Sequence, residues 1–289
     1  MTTHPRRRGA ATVALGMTVQ STALDRRTLS LAALPVSARW HLLRSKAGAL
    51  ALLAFGKSAT MHVGALRLAV QTTNDVGTLQ SSVCDVHDDV VLEVLSKDRP
   101  VIVDVGANIG QFSAAVLLFA PTASILAIEP DPEIHTRLAA NLAAATSVTT
   151  ACAAAGARHD ILPLGRAVLP VMSTLRRDGL AGYDIVGTVD VEVSPLDDLT
   201  EAVGEVDLLK IDVEGFELEA LQGAHALMRR TRFLLIELGL ARDTSRSNLD
   251  VLEAIRAVCP RARVVRFGRP LGDARRPLCQ DVLLELWPD

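Results

Sequence analysis

The sequence PVIVDVGANIGQF, residues 100–112, joins an apolar strand, a tight turn and the beginning of a helix. The β-branched run before the turn has only Asp104 as a polar interruption, which is typical of a strand covered on both faces. Gly106 and Gly110 let the backbone turn tightly, and the helical stretch Gln111–Phe119 follows. This order predicts a βαβ unit with a ligand site just beyond the end of the strand.

The same alternation of apolar strands with longer helical stretches continues toward the C-terminus, which predicts a mostly parallel sheet with helices on both faces. The last two strands are joined by a loop without a helix, so we expect that pair to be antiparallel. The predicted strands after the first are 124–129, 148–153, 189–193, 206–212, 233–237, 263–267 and 281–286.

The charge of the chain is divided unevenly along its length. Residues 1–70 contain ten Lys or Arg and one acid, a net charge of +9, whereas the rest contains 20 basic and 32 acidic side chains. We therefore divide the chain into a mixed N-terminal extension, residues 1–84, and a main domain, residues 85–289. The extension is interpreted either as a basic leader with a helical lid over the ligand site, or as a segment that contacts anionic membranes peripherally.

Several classes of protein are disfavoured by composition. The net charge of −3 gives no general reason to expect nucleic-acid binding. The four cysteines are far apart in the sequence, which disfavours a disulfide framework or a zinc cage and predicts a cytoplasmic protein. The longest uncharged apolar stretch, 47–56, is too short to span a bilayer.

Three acids lie at the carboxyl ends of predicted strands: Asp104, Glu129 and Asp212. In an open parallel sheet these ends face the ligand, so we expect the three side chains to line one cleft. A carboxylate beside the glycine turn would repel a pyrophosphate, but it suits a ligand that carries an amino group and a sulfonium. Glu129 is placed to accept hydrogen bonds from the two hydroxyls of a ribose.

The quoted turn, together with IEP at 128–130 and LKIDVEGFE at 209–217, resembles the FkbM-type methyltransferases. Ser173-Thr-Leu175 and Leu221-x-Gly223 fit the same pattern, and the resemblance covers roughly residues 85–286. It implies a Rossmann-like, seven-stranded sheet and S-adenosyl-L-methionine (SAM) as cofactor. It also implies O-methylation of a hydroxyl on a sugar, glycolipid or polyketide-type metabolite. Ala157 departs from the pattern, because an acid near that position in family members can bind the adenine amino group.

The resemblance and the strand-end positions together assign the site residues. Asp104 and Gly106 are expected at the amino-acid end and sulfonium of SAM, with Asn108 and Gly110 completing the turn and Glu129 on the ribose. Asn108 is either a left-handed turn residue or a direct cofactor contact.

An alcohol must lose its proton to attack a methyl group, and for this base we favour Asp212 first and Glu214 second. Lys210 lies two positions before Asp212, on the same face of the strand. It either pairs with the strand-end acids or binds substrate, and Glu237 is expected to support the site. Carboxylates at 212, 214 and 237 are also compatible with magnesium, although we expect no metal.

Two other function classes remain open at this stage. One is an NAD(P)-dependent oxidoreductase on the same type of sheet, and the other is a non-catalytic SAM-binding or scaffold protein. The sequence specifies neither the acceptor, nor O- against N-methylation, nor the oligomeric state.

Overall fold

The computed structural model describes residues 36–167, 173–175, 185–239, 248–267, 271–273 and 276–287. The expected leader before residue 36 and the glycine- and arginine-containing loop at 176–182 lie outside these ranges. The helices are α1 Val36–Ala54, α2 Thr73–Val86, α3 Asp89–Leu95, α4 Gln111–Phe119, α5 Pro132–Leu142, α6 Leu196–Leu199, α7 Glu217–Gln222, α8 His225–Arg229 and α9 Asn248–Val258. The strands are β1 Ala59–Val63, β2 Leu66–Val70, β3 Val101–Val105, β4 Ser124–Ile128, β5 Val148–Ala151, β6 Ala154–Ala155, β7 Asp160–Ala167, β8 Ile185–Ser194, β9 Val206–Ile211, β10 Thr231–Gly239, β11 Arg263–Phe267, β12 Leu271–Asp273 and β13 Arg276–Glu285.

The main sheet has the strand order β11-β13-β10-β9-β3-β4-β5, with β12 added on β13. Strands β10, β9, β3, β4 and β5 are mutually parallel. Strand β13 runs antiparallel to both β10 and β11. The predicted Rossmann-like sheet of seven strands, with its antiparallel last pair, is therefore confirmed.

The strand order reverses between β3 and β9, because β4 and β5 extend the sheet to one side of β3 and β9 and β10 extend it to the other. A crevice opens at such a reversal, outside the carboxyl ends of the strands. The turn after β3 and the turn after β9 therefore meet at the same point of the sheet edge.

Each face of the sheet packs on its own apolar core. One core contains the inward side chains of α2–α5 and of the β1–β2 hairpin, and the other contains those of α6–α9. Residues of the N-terminal extension, such as Leu68 and Leu79, share the first core with Ile102 and Leu208 of the main sheet. The boundary proposed between residues 84 and 85 falls inside α2.

A second, three-stranded sheet with the order β6-β8-β7 stands beside the main sheet. Its long antiparallel pair, β7 with β8, forms most of the middle section that the sequence describes poorly. Among the described helices, none has the length and apolar character needed to cross a membrane.

Candidate active site

The glycine turn after β3 is held against the turn after β9. Gly106 has φ +77°, and a Cβ at this position would lie 1.8 Å from the backbone carbonyl oxygen of Asp212. No side chain fits that distance, so only glycine permits the close approach of the two turns. This contact places Asp212 directly beside the predicted cofactor loop.

Asn108 acts as the left-handed turn residue of this loop. Its φ is +50°, and its Oδ1 accepts a hydrogen bond of 2.7 Å from the backbone N–H of Ile109. Asparagine tolerates this conformation because its short side chain can bond locally. The left-handed turn of the first interpretation is therefore observed, and because Asn108 also lines the cleft, a direct cofactor contact stays a prediction.

Glu129 follows β4 and holds the same loop from the other side. Its Oε2 accepts a hydrogen bond from the backbone N–H of Asn108 at 2.9 Å, and its Oε1 accepts one from the N–H of Asp131 at 3.0 Å. Burial raises the pKa of this carboxyl to about 7. Each oxygen keeps a further lone pair, so Glu129 can accept additional hydrogen bonds from a ligand.

Lys210 bridges two strand-end acids. Its Nζ lies 3.7 Å from Oδ1 of Asp104 and donates a hydrogen bond of 3.2 Å to Oδ2 of Asp212. Burial alone would lower the pKa of Lys210, but the two carboxylates raise it above its ordinary value. Asp104 is fully buried, and its other oxygen, Oδ2, accepts a hydrogen bond from Ser113 Oγ at 2.7 Å. The ion-pair interpretation of Lys210 is thus the one that the geometry supports.

Three acids form a carboxylate cluster that includes Asp212, the hydrogen-bond partner of Lys210. The carboxylates of Asp212, Glu214 and Glu237 each offer an oxygen within 4.8 Å of the others. This spacing is compatible with a divalent cation, so the expectation of no metal stays a prediction. Glu214 has φ +53°, a rare conformation for a residue other than glycine, and such strain is often found at functional sites.

Two further acids belong to this cluster that the sequence did not single out. Asp281 of β13 lies opposite Glu237 of β10 in the register, and Asp85 comes from α2. Burial, reinforced by Asp281, raises the pKa of Asp85 to about 8. Burial, reinforced by Asp212, raises the pKa of Asp281 to about 6. No local pattern could have found either residue, because both depend on how distant elements pair.

A cleft lies in front of these groups, and Asp212 and Glu214 are part of its lining. The Thr174 hydroxyl donates to the carbonyl oxygen of Glu214 at 2.8 Å, which joins the Ser173-Thr-Leu175 segment to the turn after β9. Five predicted site residues line the cleft, and four others, Asp104, Gly110, Lys210 and Glu237, are not part of its lining. The lining residues are Val105, Gly106, Asn108, Glu129, Pro130, Ala153, Ala154, Ala155, Leu164, Ser173, Leu175, Asp212, Val213, Glu214 and Phe216.

A methyltransferase FkbM domain matches residues 104–259, more than half of the chain. The chain belongs to the FkbM methyltransferase family. The match contains both turns that meet at the cleft, the one after β3 and the one after β9.

Three curated proteins show the same similarity. The 2-O-methyltransferase NoeI of Sinorhizobium fredii is 28% identical over 53% of this chain and 68% of its own length. The methyltransferase sdnD of Sordaria araneosa is 36% identical, over 43% of this chain and 60% of its own. The hexuronic acid methyltransferase AglP of Haloferax volcanii is 26% identical, over 60% of this chain and 70% of its own. As an FkbM protein this chain is a methyltransferase, which confirms the expected enzyme class over the oxidoreductase and scaffold alternatives.

Gly223 of the family pattern and Gly156, which it contacts, have a structural explanation. A Cβ on Gly223 would lie 2.0 Å from the carbonyl oxygen of Gly156, and a Cβ on Gly156 would lie 2.4 Å from the Val193 side chain. The Leu221-x-Gly223 segment therefore fixes the start of α8 against the strand that leads into the small sheet. Ala157, the residue that departs from the pattern, is exposed and absent from the cleft lining.

Proposed function

We propose that this FkbM protein transfers the methyl group of SAM to a hydroxyl of a small molecule or glycolipid, of the sugar or polyketide type. One observation carries the proposal most directly: the carboxylate of Asp212 lies in the cleft, at the point where the cofactor turn contacts the acid cluster. Two of the relatives are a 2-O-methyltransferase and a hexuronic acid methyltransferase, which favours an oxygen acceptor on a carbohydrate.

The residues present fit SAM. Glu129 keeps lone pairs for the ribose hydroxyls, and Ala153, Ala154, Ala155 and Leu164 give the cleft an apolar wall that can contact an adenine ring. The backbone at Gly106 approaches closely enough to contact the amino-acid end. Asp104 is closed off from the cleft, so we assign it to holding Lys210 and the turn instead of touching the cofactor.

SAM, when bound, would supply a methyl group attached to a positively charged sulfur. The acceptor oxygen would attack the methyl carbon, and the sulfur would leave. The reaction forms a carbon–oxygen bond, breaks a carbon–sulfur bond and leaves the proton of the hydroxyl to be accepted. Asp212 is our first choice for that proton. Lys210 donates to its Oδ2, which orients the carboxylate, and Oδ1 is left to accept from the acceptor hydroxyl.

Glu214 is the second choice as base. It lines the same cleft as Ser173 and Leu175, and its backbone is left-handed. Glu237 is buried and completes the group of three carboxylates with Asp212 and Glu214.

The test combines binding and transfer. Calorimetry should show that SAM and S-adenosylhomocysteine bind and that NAD does not. The purified protein, incubated with isotopically methyl-labelled SAM and a small-molecule extract, should transfer the label to a compound that mild base does not demethylate, as expected of an ether. NAD binding without SAM binding would contradict the cofactor, and label found only on amine nitrogen would contradict the acceptor class.

A further inference from the structure

Helix α1 is apolar on two opposite faces. Its inner face contributes Ala49, with Leu42, Leu50 and Leu53 beside it, to the core shared with the main sheet. Its outer face exposes Leu52 to 43% and ends at Phe55, which is 81% exposed. The other exposed positions of α1 among the described side chains are Leu43, Arg44, Ala47, Gly48, Ala51 and Ala54.

This outer face is unusual for a surface helix, which normally presents polar and charged side chains to water. Exposed apolar side chains grouped around a basic one, here Arg44, generally mark a contact with another molecule or with a membrane. The described residues cover only the inner face of α1. No described residue packs on the outer face. We call this face the α1 surface and define it by Leu43, Ala47, Ala51, Leu52 and Phe55.

The charge around the α1 surface indicates which kind of partner binds it. Residues 36–70 contain five basic side chains, Arg39, Arg44, Lys46, Lys57 and Arg67, and no acid. Arg44 lies on the exposed side of α1 and Lys57 is exposed two residues after Phe55. A partner for this surface must accept apolar side chains and carry negative charge, and the interface of an anionic lipid bilayer does both.

We propose that the α1 surface docks on the headgroup region of anionic membranes, with Phe55 and Leu52 inserted and Arg44 and Lys57 paired with lipid headgroups. The docking that we propose is peripheral, through side chains on one face of the helix. No residue of 36–70 lines the catalytic cleft, so docking on this surface leaves the cleft open.

The test is flotation of the full-length protein with vesicles of phosphatidylcholine alone or with about one third phosphatidylglycerol. We expect binding to the anionic vesicles only, with a strong decrease at high salt. The double variant Leu52→Ser/Phe55→Ser should reduce the vesicle partition coefficient at least tenfold. Lys57→Gln should reduce it about fivefold, the change that about 1 kcal/mol per basic residue corresponds to. Phe267→Ser is the matched control, because Phe267 is 64% exposed on the edge strand β11, and it should bind as the unmodified chain does.

Three results would overturn the proposal: equal binding to neutral and anionic vesicles, unchanged binding of the double variant, and no binding at all. If vesicles are not bound and light scattering shows a dimer that the double variant dissociates, the α1 surface is an interface between two copies. If instead duplex DNA is bound and the double variant loses it, the partner is a nucleic acid. SAM calorimetry on each variant shows that the fold is intact, and its result does not depend on the vesicle measurement.

Discussion

On the β4 side of the crevice where the strand order reverses, the carboxylate of Glu129 accepts hydrogen bonds from two backbone N–H groups. On the β9 side, the carboxylates of Asp212, Glu214 and Glu237 crowd within 4.8 Å of one another, with Lys210 as the cation hydrogen-bonded to the first. The first arrangement is held by local backbone geometry, and the second places like charges together. A backbone-held carboxylate suits hydrogen bonds to the hydroxyls of a ligand, whereas a cluster of carboxylates at the cleft suits the acceptance of a proton.

The largest effect should come from removing the proton acceptor on the β9 side. In Asp212→Asn the side chain keeps its shape and can still accept a hydrogen bond, but it can no longer take a proton at neutral pH. We expect turnover to fall by roughly 10²–10⁴ while the SAM dissociation constant changes only a few-fold. Single-turnover kinetics and calorimetry on the same preparation measure the two quantities.

Glu214→Gln serves as the comparison for that variant. If Asp212 is the base, the Glu214 variant should lose less turnover than the Asp212 variant at saturating SAM. Turnover that recovers in Asp212→Asn when SAM is saturating would instead make Asp212 a cofactor-binding group. A larger loss in Glu214→Gln would transfer the role of base to Glu214.

The next effect tests whether the two sides depend on each other through the backbone. Gly106→Ala would force a Cβ to 1.8 Å from the carbonyl oxygen of Asp212 at a positive φ. We expect the free energy of unfolding to fall by about 3 kcal/mol or more. Urea denaturation measures it.

Gly77→Ala is the control, because Gly77 lies inside α2 and an added Cβ there meets no atom within 4 Å. That change should raise the free energy of unfolding by about 0.5–1 kcal/mol, as alanine usually does inside a helix. Equal destabilisation by both substitutions would show that the contact between the two turns does not matter.

Site residues on the main parallel strands were predictable from the sequence, whereas residues brought to the site by distant elements were not. Asp104, Glu129 and Asp212 were predictable because each follows an apolar strand directly, and parallel strands end at one edge of the sheet. Asp85 and Asp281 were not, because their proximity depends on α2 and β13 reaching the same edge from opposite ends of the chain. The ion pair of Arg166 with Asp131, which ties β7 to the loop after β4, was missed for the same reason. The middle section was difficult because β7 and β8 pair with each other outside the main sheet.

A smaller effect is expected from deleting the carboxylate on the β4 side. Glu129→Ala removes acceptors for the ribose and also leaves the N–H groups of Asn108 and Asp131 without their partner. We expect SAM binding to weaken by roughly 1.5–3 kcal/mol, the range for hydrogen bonds to a charged group. Calorimetry with S-adenosylhomocysteine should show a similar loss, since it carries the same ribose. An unchanged dissociation constant would exclude Glu129 from the cofactor site.

The smallest effect concerns the protonation of Glu129. Burial raises the pKa of its carboxyl from 4.5 to about 7, so the free protein holds a proton there below that pH. The ionised carboxylate is the stronger acceptor for ribose hydroxyls, and SAM must displace the proton to reach it. SAM affinity should therefore reach its maximum above pH 8 and fall about tenfold by pH 6, because a carboxyl with a pKa near 7 is about nine-tenths protonated at pH 6. The protonation of SAM itself affects binding to the unmodified protein and to the Glu129→Gln variant equally. The variant should therefore lose only the part of the pH dependence of SAM affinity that Glu129 causes. Identical pH profiles for the two proteins would show that the β4 side binds the cofactor without using the charge of Glu129.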